Sequence, residues 1–94
     1  MARLTIYSTG ACPICQQSKK LLQKWAIPYT EIRLDLDPSE HRRFSELTQG
    51  ARMVPQFLID EKWIGGFSEL TEMHMDDALD ELMETANQPQ QTGS

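Results

Sequence analysis

Two cysteines three positions apart, where a strand pattern gives way to a helix pattern, constrain this chain more than any other feature. Cys12 and Cys15 are the only cysteines among its 94 residues. Ahead of them, Arg3-Leu4-Thr5-Ile6-Tyr7-Ser8 alternates β-prone residues toward and away from a core, and so reads as a strand. Behind them, Pro13 to about Trp25 reads as a helix, because Cys15, Ser18, Leu21, Leu22 and Trp25 recur at three- and four-residue spacing. Pro13 suits the first helical turn, where its missing N–H leaves no bond unmade. Cys12 therefore falls at a helix N-terminus, where unpaired N–H groups and the helix dipole stabilise a thiolate.

Disulfide exchange needs an accessible thiolate and a second thiol placed to attack the mixed disulfide it forms. Cys12, at the exposed helix end, is the expected nucleophile, and Cys15, one turn inside, the resolving thiol. A cysteine of ordinary pKa is only ~3% thiolate at pH 7, so full ionisation raises that population ~30-fold. Lowering the pKa by ~3.5 units weakens the nucleophile by roughly the same factor, at a Brønsted slope of ~0.4–0.5. The gain therefore lies in Cys12 as a leaving group. A shift of that size is worth ~5 kcal/mol, beyond the ~0.3–2 kcal/mol that a helix dipole supplies. Direct hydrogen bonds to the sulfur have to provide much of the rest.

The remaining readings of a Cys-x-x-Cys pair fit less well. Half of a zinc site needs further ligands, and His41 and His74 stand isolated in the sequence. Neither lies near the pair, so a cysteine–histidine hydrolase has no local support. A structural disulfide closed over two residues stabilises little. No apolar run is long enough for a membrane span, and the first residues do not read as a signal peptide, which points to the cytoplasm. The net charge of −5 argues against nucleic acid as a partner. The charge divides unevenly, +4 over residues 1–33 and −9 over residues 34–94. That asymmetry fits either a solvated surface or steering of an anionic substrate.

Further along, Tyr29 to Leu36 reads as a strand with Ile32, Leu34 and Leu36 on one face. Asp37-Pro38-Ser39-Glu40 reads as the start of a helix capped by Asp37 and running to about Thr48, with Gly50 as its left-handed stop. Val54 to Ile59 forms a third strand, and Asp60-Glu61-Lys62 turns into a short fourth one at Trp63-Ile64. After Gly65-Gly66, Ser68 is expected to cap a last helical region to about Glu84, divisible at Asp76-Asp77. One domain over residues 1–85 is expected, with a polar tail at 86–94. The order β-α-β-α-β-β-α makes an α/β fold, a small four-stranded mixed sheet flanked by helices.

On four elements in order, the chain resembles the glutaredoxins of the dithiol type. They are Cys12-Pro13-Ile14-Cys15 after the first strand, Val54-Pro55 before the third, Gly65-Gly66 after the hairpin, and Ser68-Glu69-Leu70 opening the next helix. The resemblance covers residues 1–84. It implies a thioredoxin fold, a cis Pro55 beside the active cysteine, and a glutathione-dependent reductase of protein disulfides and protein–glutathione mixed disulfides. The implied potential is roughly −200 to −230 mV. Glutathione would be a co-substrate of a monomer with no tightly bound cofactor and no metal. The positions that would meet it are Thr9, Ile14, Arg42, Met53, Val54, Pro55, Gly66, Phe67, Ser68 and Glu69. Val54 would pair with its cysteinyl backbone as an added strand does, and Gly66 to Glu69 would hold its γ-glutamyl end.

Three positions depart from the family. Thr9 stands where a lysine commonly helps hold the glycine carboxylate of glutathione, Ile14 where a tyrosine is frequent, and Met53 where a threonine is usual. Arg42, in the second helix, matches a position that often serves the same carboxylate, and otherwise reads as an exposed arginine. Two alternatives follow: a thioredoxin-like donor recycled by thioredoxin reductase, and a dimeric [2Fe–2S] module in which each subunit gives Cys12. Pro13 speaks against the second, since cluster-binding relatives usually carry Gly or Ser there.

Overall fold

A computed structural model describes residues 2–83 of the chain. The boundary expected at residue 85 and the tail expected at 86–94 lie outside the described residues. Four strands and three helices follow the expected order: β1 (Leu4–Ser8), α1 (Pro13–Lys24), β2 (Tyr29–Arg33), α2 (Glu40–Leu47), β3 (Gln56–Ile59), β4 (Lys62–Gly65) and α3 (Phe67–Met75). A 3₁₀ turn at Asp80–Leu82 ends the described chain. The sheet runs β2-β1-β3-β4. β1 pairs parallel with β2 and antiparallel with β3, and β3 pairs antiparallel with β4. This is the thioredoxin fold.

The alternation read from β1 decides which face receives which helix. Leu4 and Ile6 point to one side, where they pack with Leu22 of α1, Phe57 of β3 and Leu70 of α3. Tyr7 points to the other, where it meets Leu34, Leu58 and Phe44 of α2. The Tyr7 and Phe44 rings contact edge to face at 5.0 Å between centroids. The β3–β4 hairpin turns through Asp60 and Glu61, both at positive φ (52° and 66°), the geometry of a two-residue primed turn. Arg3 clasps the Asp60 carboxylate from the neighbouring strand end.

Local boundaries differ from expectation for identifiable reasons. β2 stops at Arg33, because the N–H groups of Leu36 and Asp37 both turn back to the Arg33 carbonyl. Leu36 is consequently exposed instead of sharing a buried face with Leu34. Asp37 does not cap α2: a turn through Pro38 and Ser39 comes first, and the Asp37 carboxylate takes the Ser39 hydroxyl at 2.5 Å. β3 starts at Gln56, two residues after Val54. Ser68 is not a cap but the second residue of α3, whose N-cap is Gly66. The last helical region is indeed divided, with Asp76 closing α3 and Asp77 at φ 61°.

Candidate functional site

The cysteine pair sits where β1 passes into α1. Cys12 is the N-cap residue in extended conformation, and its Sγ accepts the backbone N–H of Cys15 at 3.0 Å. The two cysteines are joined in a disulfide with Cα atoms 5.2 Å apart. The Cys15 N–H is placed to donate to a Cys12 thiolate once the disulfide opens, the kind of direct bond that the energetic argument requires. Cys15 is fully buried and Cys12 partly exposed. The turn leading into Cys12 is tied down by Asp35, whose Oδ2 accepts the Gly10 N–H at 3.1 Å. Arg33 grips the same carboxylate through two bonds of 2.8 and 2.7 Å. Those Arg33 bonds, with help from the Gly10 N–H, hold the Asp35 carboxyl well below the usual range.

Facing the sulfur is the loop before β3. The Val54–Pro55 peptide bond is cis, and the Val54 carbonyl oxygen lies 3.8 Å from Cys12 Sγ. Gln56 braces this loop from below: its amide nitrogen donates to the Met53 carbonyl at 3.1 Å, and its oxygen accepts from the Trp63 indole N–H at 2.8 Å. The start of α3 comes up against the same loop. A Cβ on Gly66 would stand 3.2 Å from the Pro55 carbonyl oxygen, tighter than ordinary contact, so glycine permits the approach. Gly65, at φ 120°, makes the turn that aims α3 there. The Glu69 carboxylate then folds back onto the Gly66 N–H at 2.7 Å.

Around this centre the side chains fall into three groups. Ile14 and Met53 are large apolar groups, 48% and 75% exposed, on the two segments that meet at Cys12. Gly66, Phe67, Ser68 and Glu69 form the cap and first turn of α3. Of these, Gly66 and Glu69 line a cavity of about 420 Å³ with Gln56, Trp63, Ile64 and Gly65, and Phe67 and Ser68 are not part of that lining. Thr9 and Val54 line a second cavity of about 480 Å³ on the α2 side, together with His41 and Arg52. Arg42 is not part of that lining. It points to solvent on α2, 3.7 Å from Glu46.

Local periodicity did not reveal Arg52, His41, Trp63 or Asp35. Arg52 carried a usable signal in its place directly before Met53-Val54-Pro55. His41, read as an isolated surface residue, is exposed but donates from Nε2 to the Leu34 carbonyl at 3.0 Å. Trp63 and Asp35 act through hydrogen bonds that only the assembled sheet creates.

A partly exposed sulfur at a helix N-terminus, bonded to a buried partner sulfur, is built to open and close. Known proteins agree with that chemistry. The family model Glutaredoxin matches residues 4–64. The chain is 35% identical over 83 residues to Glutaredoxin 1 of Rickettsia typhi, covering 87% of this chain and 80% of the relative. It is 34% identical over 84 residues to a glutaredoxin of Neisseria meningitidis serogroup B, covering 88% and 98%. Its fold superposes on the crystal structure of a buckwheat glutaredoxin–glutathione complex with a TM-score of 0.76 at 27% identity, over 92% of this chain and 80% of that one. Motif, fold and relatives converge: the chain belongs to the glutaredoxin family, and Cys12–Cys15 is its redox-active disulfide.

Proposed function

We propose that the protein is a dithiol glutaredoxin that uses glutathione to reduce protein disulfides and protein–glutathione mixed disulfides in the cytoplasm, acting as a monomer. The observation that carries this reading is the placing of Cys12 Sγ, at the N-terminus of α1 and 3.8 Å from the Val54 carbonyl, with the N-terminus of α3 packed behind that loop. The Cys12 thiolate attacks the glutathione sulfur of a mixed disulfide, and the protein thiolate leaves. A second glutathione thiolate then attacks the glutathione sulfur on Cys12, releasing glutathione disulfide and restoring the Cys12 thiolate. The Cys15 N–H stabilises that thiolate in both steps, as leaving-group chemistry demands.

The charge and shape of the cleft support this reading. Val54 lies outside the β3 ladder, so its backbone suits strand-like pairing with the cysteinyl residue. The N–H groups of Phe67 and Ser68 begin α3 and suit the γ-glutamyl carboxylate. At the other end, the cavity beside Thr9 offers Arg52 as a cation for the glycine carboxylate, which offsets the lysine missing at Thr9. Ile14 and Met53 supply an apolar rim for the protein carrying the disulfide. The test is turnover of a glutathionylated protein with glutathione, glutathione reductase and NADPH. The wild type should turn over and Cys12→Ser should not. Recycling by thioredoxin reductase alone would favour the thioredoxin-like reading instead.

A further inference from the structure

We infer that Lys19, held in place by Glu31, is the cation that stabilises the thiolate left on Cys15 when the Cys12–Cys15 disulfide opens. The inference rests on Cys12 being the sulfur attacked, as proposed above. When an external thiolate bonds to Cys12 Sγ, the Cys12–Cys15 bond breaks and its electron pair departs on Cys15. Cys15 is fully buried, so that charge appears where water cannot solvate it. Burial alone raises the cost of a thiolate.

Lys19 is placed to offset that cost. Cys15, Ser18, Lys19 and Leu22 follow the i, i+3, i+4, i+7 spacing of one helix face, and Cys15, Ser18 and Leu22 are buried. Side chains four apart have Cβ atoms about 5–6 Å from each other, and helix side chains lean toward the N-terminus, which is toward Cys15. The Lys19 side chain is only 16% exposed, unusual for a lysine. Its Nζ donates to Glu31 Oε2 at 2.9 Å, and the buried Ser8 hydroxyl donates to the same oxygen at 2.6 Å.

An ammonium has three N–H donors, and Glu31 is the one acceptor found for it among the described residues. Burial pushes the Glu31 carboxyl up, but the Ser8 and Lys19 bonds outweigh it and leave the group below its usual range. The carboxylate therefore stays ionised and holds the Lys19 side chain in place through the 2.9 Å bond. The neighbouring ionic groups are otherwise engaged or exposed. On β2, Arg33 is bonded to Asp35. At the start of α3, Glu69 is bonded to the Gly66 N–H. Lys20 on α1 faces solvent.

The test is the rate at which 2-mercaptoethanol opens the Cys12–Cys15 disulfide, which does not depend on glutathione recognition. A protein inert to glutathione would still report on Lys19, so failure of the proposed function and failure of this inference are separable. Lys19→Met should slow opening about threefold, as about one pKa unit on Cys15 gives at a Brønsted slope of ~0.5, and Lys19→Arg should restore most of the rate. In Cys12→Ser, the Cys15 thiol should titrate about one unit higher once Lys19→Met is added. Lys19→Met/Glu31→Gln, which leaves no unpaired buried charge, should stay slow. Thiol exchange at Cys12 in Cys15→Ser should be unaffected by Lys19→Met. Opening of the double variant at the wild-type rate would overturn the inference. So would an equal loss in Cys15→Ser, which would place the effect on Cys12 or on the fold.

Discussion

The N-termini of α1 and α3 converge on one loop and use the same unpaired N–H groups in different ways. At α1 the acceptor is Cys12 Sγ, the atom that reacts, and the bond from the Cys15 N–H belongs to the chemistry. At α3 the cap is a glycine, and the folded-back Glu69 carboxylate takes the Gly66 N–H. The next two N–H groups, those of Phe67 and Ser68, are the ones proposed to receive the γ-glutamyl carboxylate. One helix start is therefore a reactive end, and the other is the docking end of the proposed glutathione site. The difference lies in the capping residue: a cysteine puts a nucleophile on the axis, whereas a glycine clears room beside Pro55.

The sharpest break of that contrast comes from the cysteines. Cys12→Ser should lower turnover of a glutathione mixed disulfide by about a thousandfold or more, while Cys15→Ser should retain it within a few fold and lose dithiol reduction of protein disulfides. A smaller effect is expected at the docking end. Gly66→Val would push a branched side chain against the Pro55 carbonyl and should raise KM for glutathione about tenfold with little change in kcat, measured by steady-state kinetics. Thr9→Lys should tighten glutathione about threefold, by titration, and the gain should shrink at high salt because the added charge is solvent-accessible.

The smallest effect concerns the tie beneath the reactive end. The folded Asp35 carboxyl lies below its unfolded value of about 3.9, so its stabilisation is fully present above that value and is lost as pH falls through the lower folded one. The stability gap between wild type and Asp35→Asn should therefore be constant above about pH 5 and close in acid, read from urea melts across pH.

Much of this was legible in the residues. The period of two in β1 separates Leu4 and Ile6 from Tyr7 in sequence as in space, although both faces are covered and Tyr7 enters a second core instead of solvent. Cys12 at a helix start followed from Pro13 and the spacing of Leu22 behind it. Ser68 misled because serine is a favoured cap, whereas the informative residue was Glu69, three positions after Gly66. Leu34 and Leu36 extended the β2 pattern in sequence, but only the Leu34 N–H still reaches β1, at the Ser8 carbonyl, before the bonds of Leu36 and Asp37 to Arg33 turn the chain. Lys19–Glu31 and Trp63–Gln56 join separate elements, and no local period reports such pairs.

The most direct test of the two-ended site is the change in backbone amide shifts when Cys15→Ser is converted to its Cys12–glutathione mixed disulfide. The account predicts large shifts at Val54 and from Gly66 to Glu69 as well as around Cys12. Shifts confined to Ala11–Gln16, with the start of α3 unmoved, would contradict it.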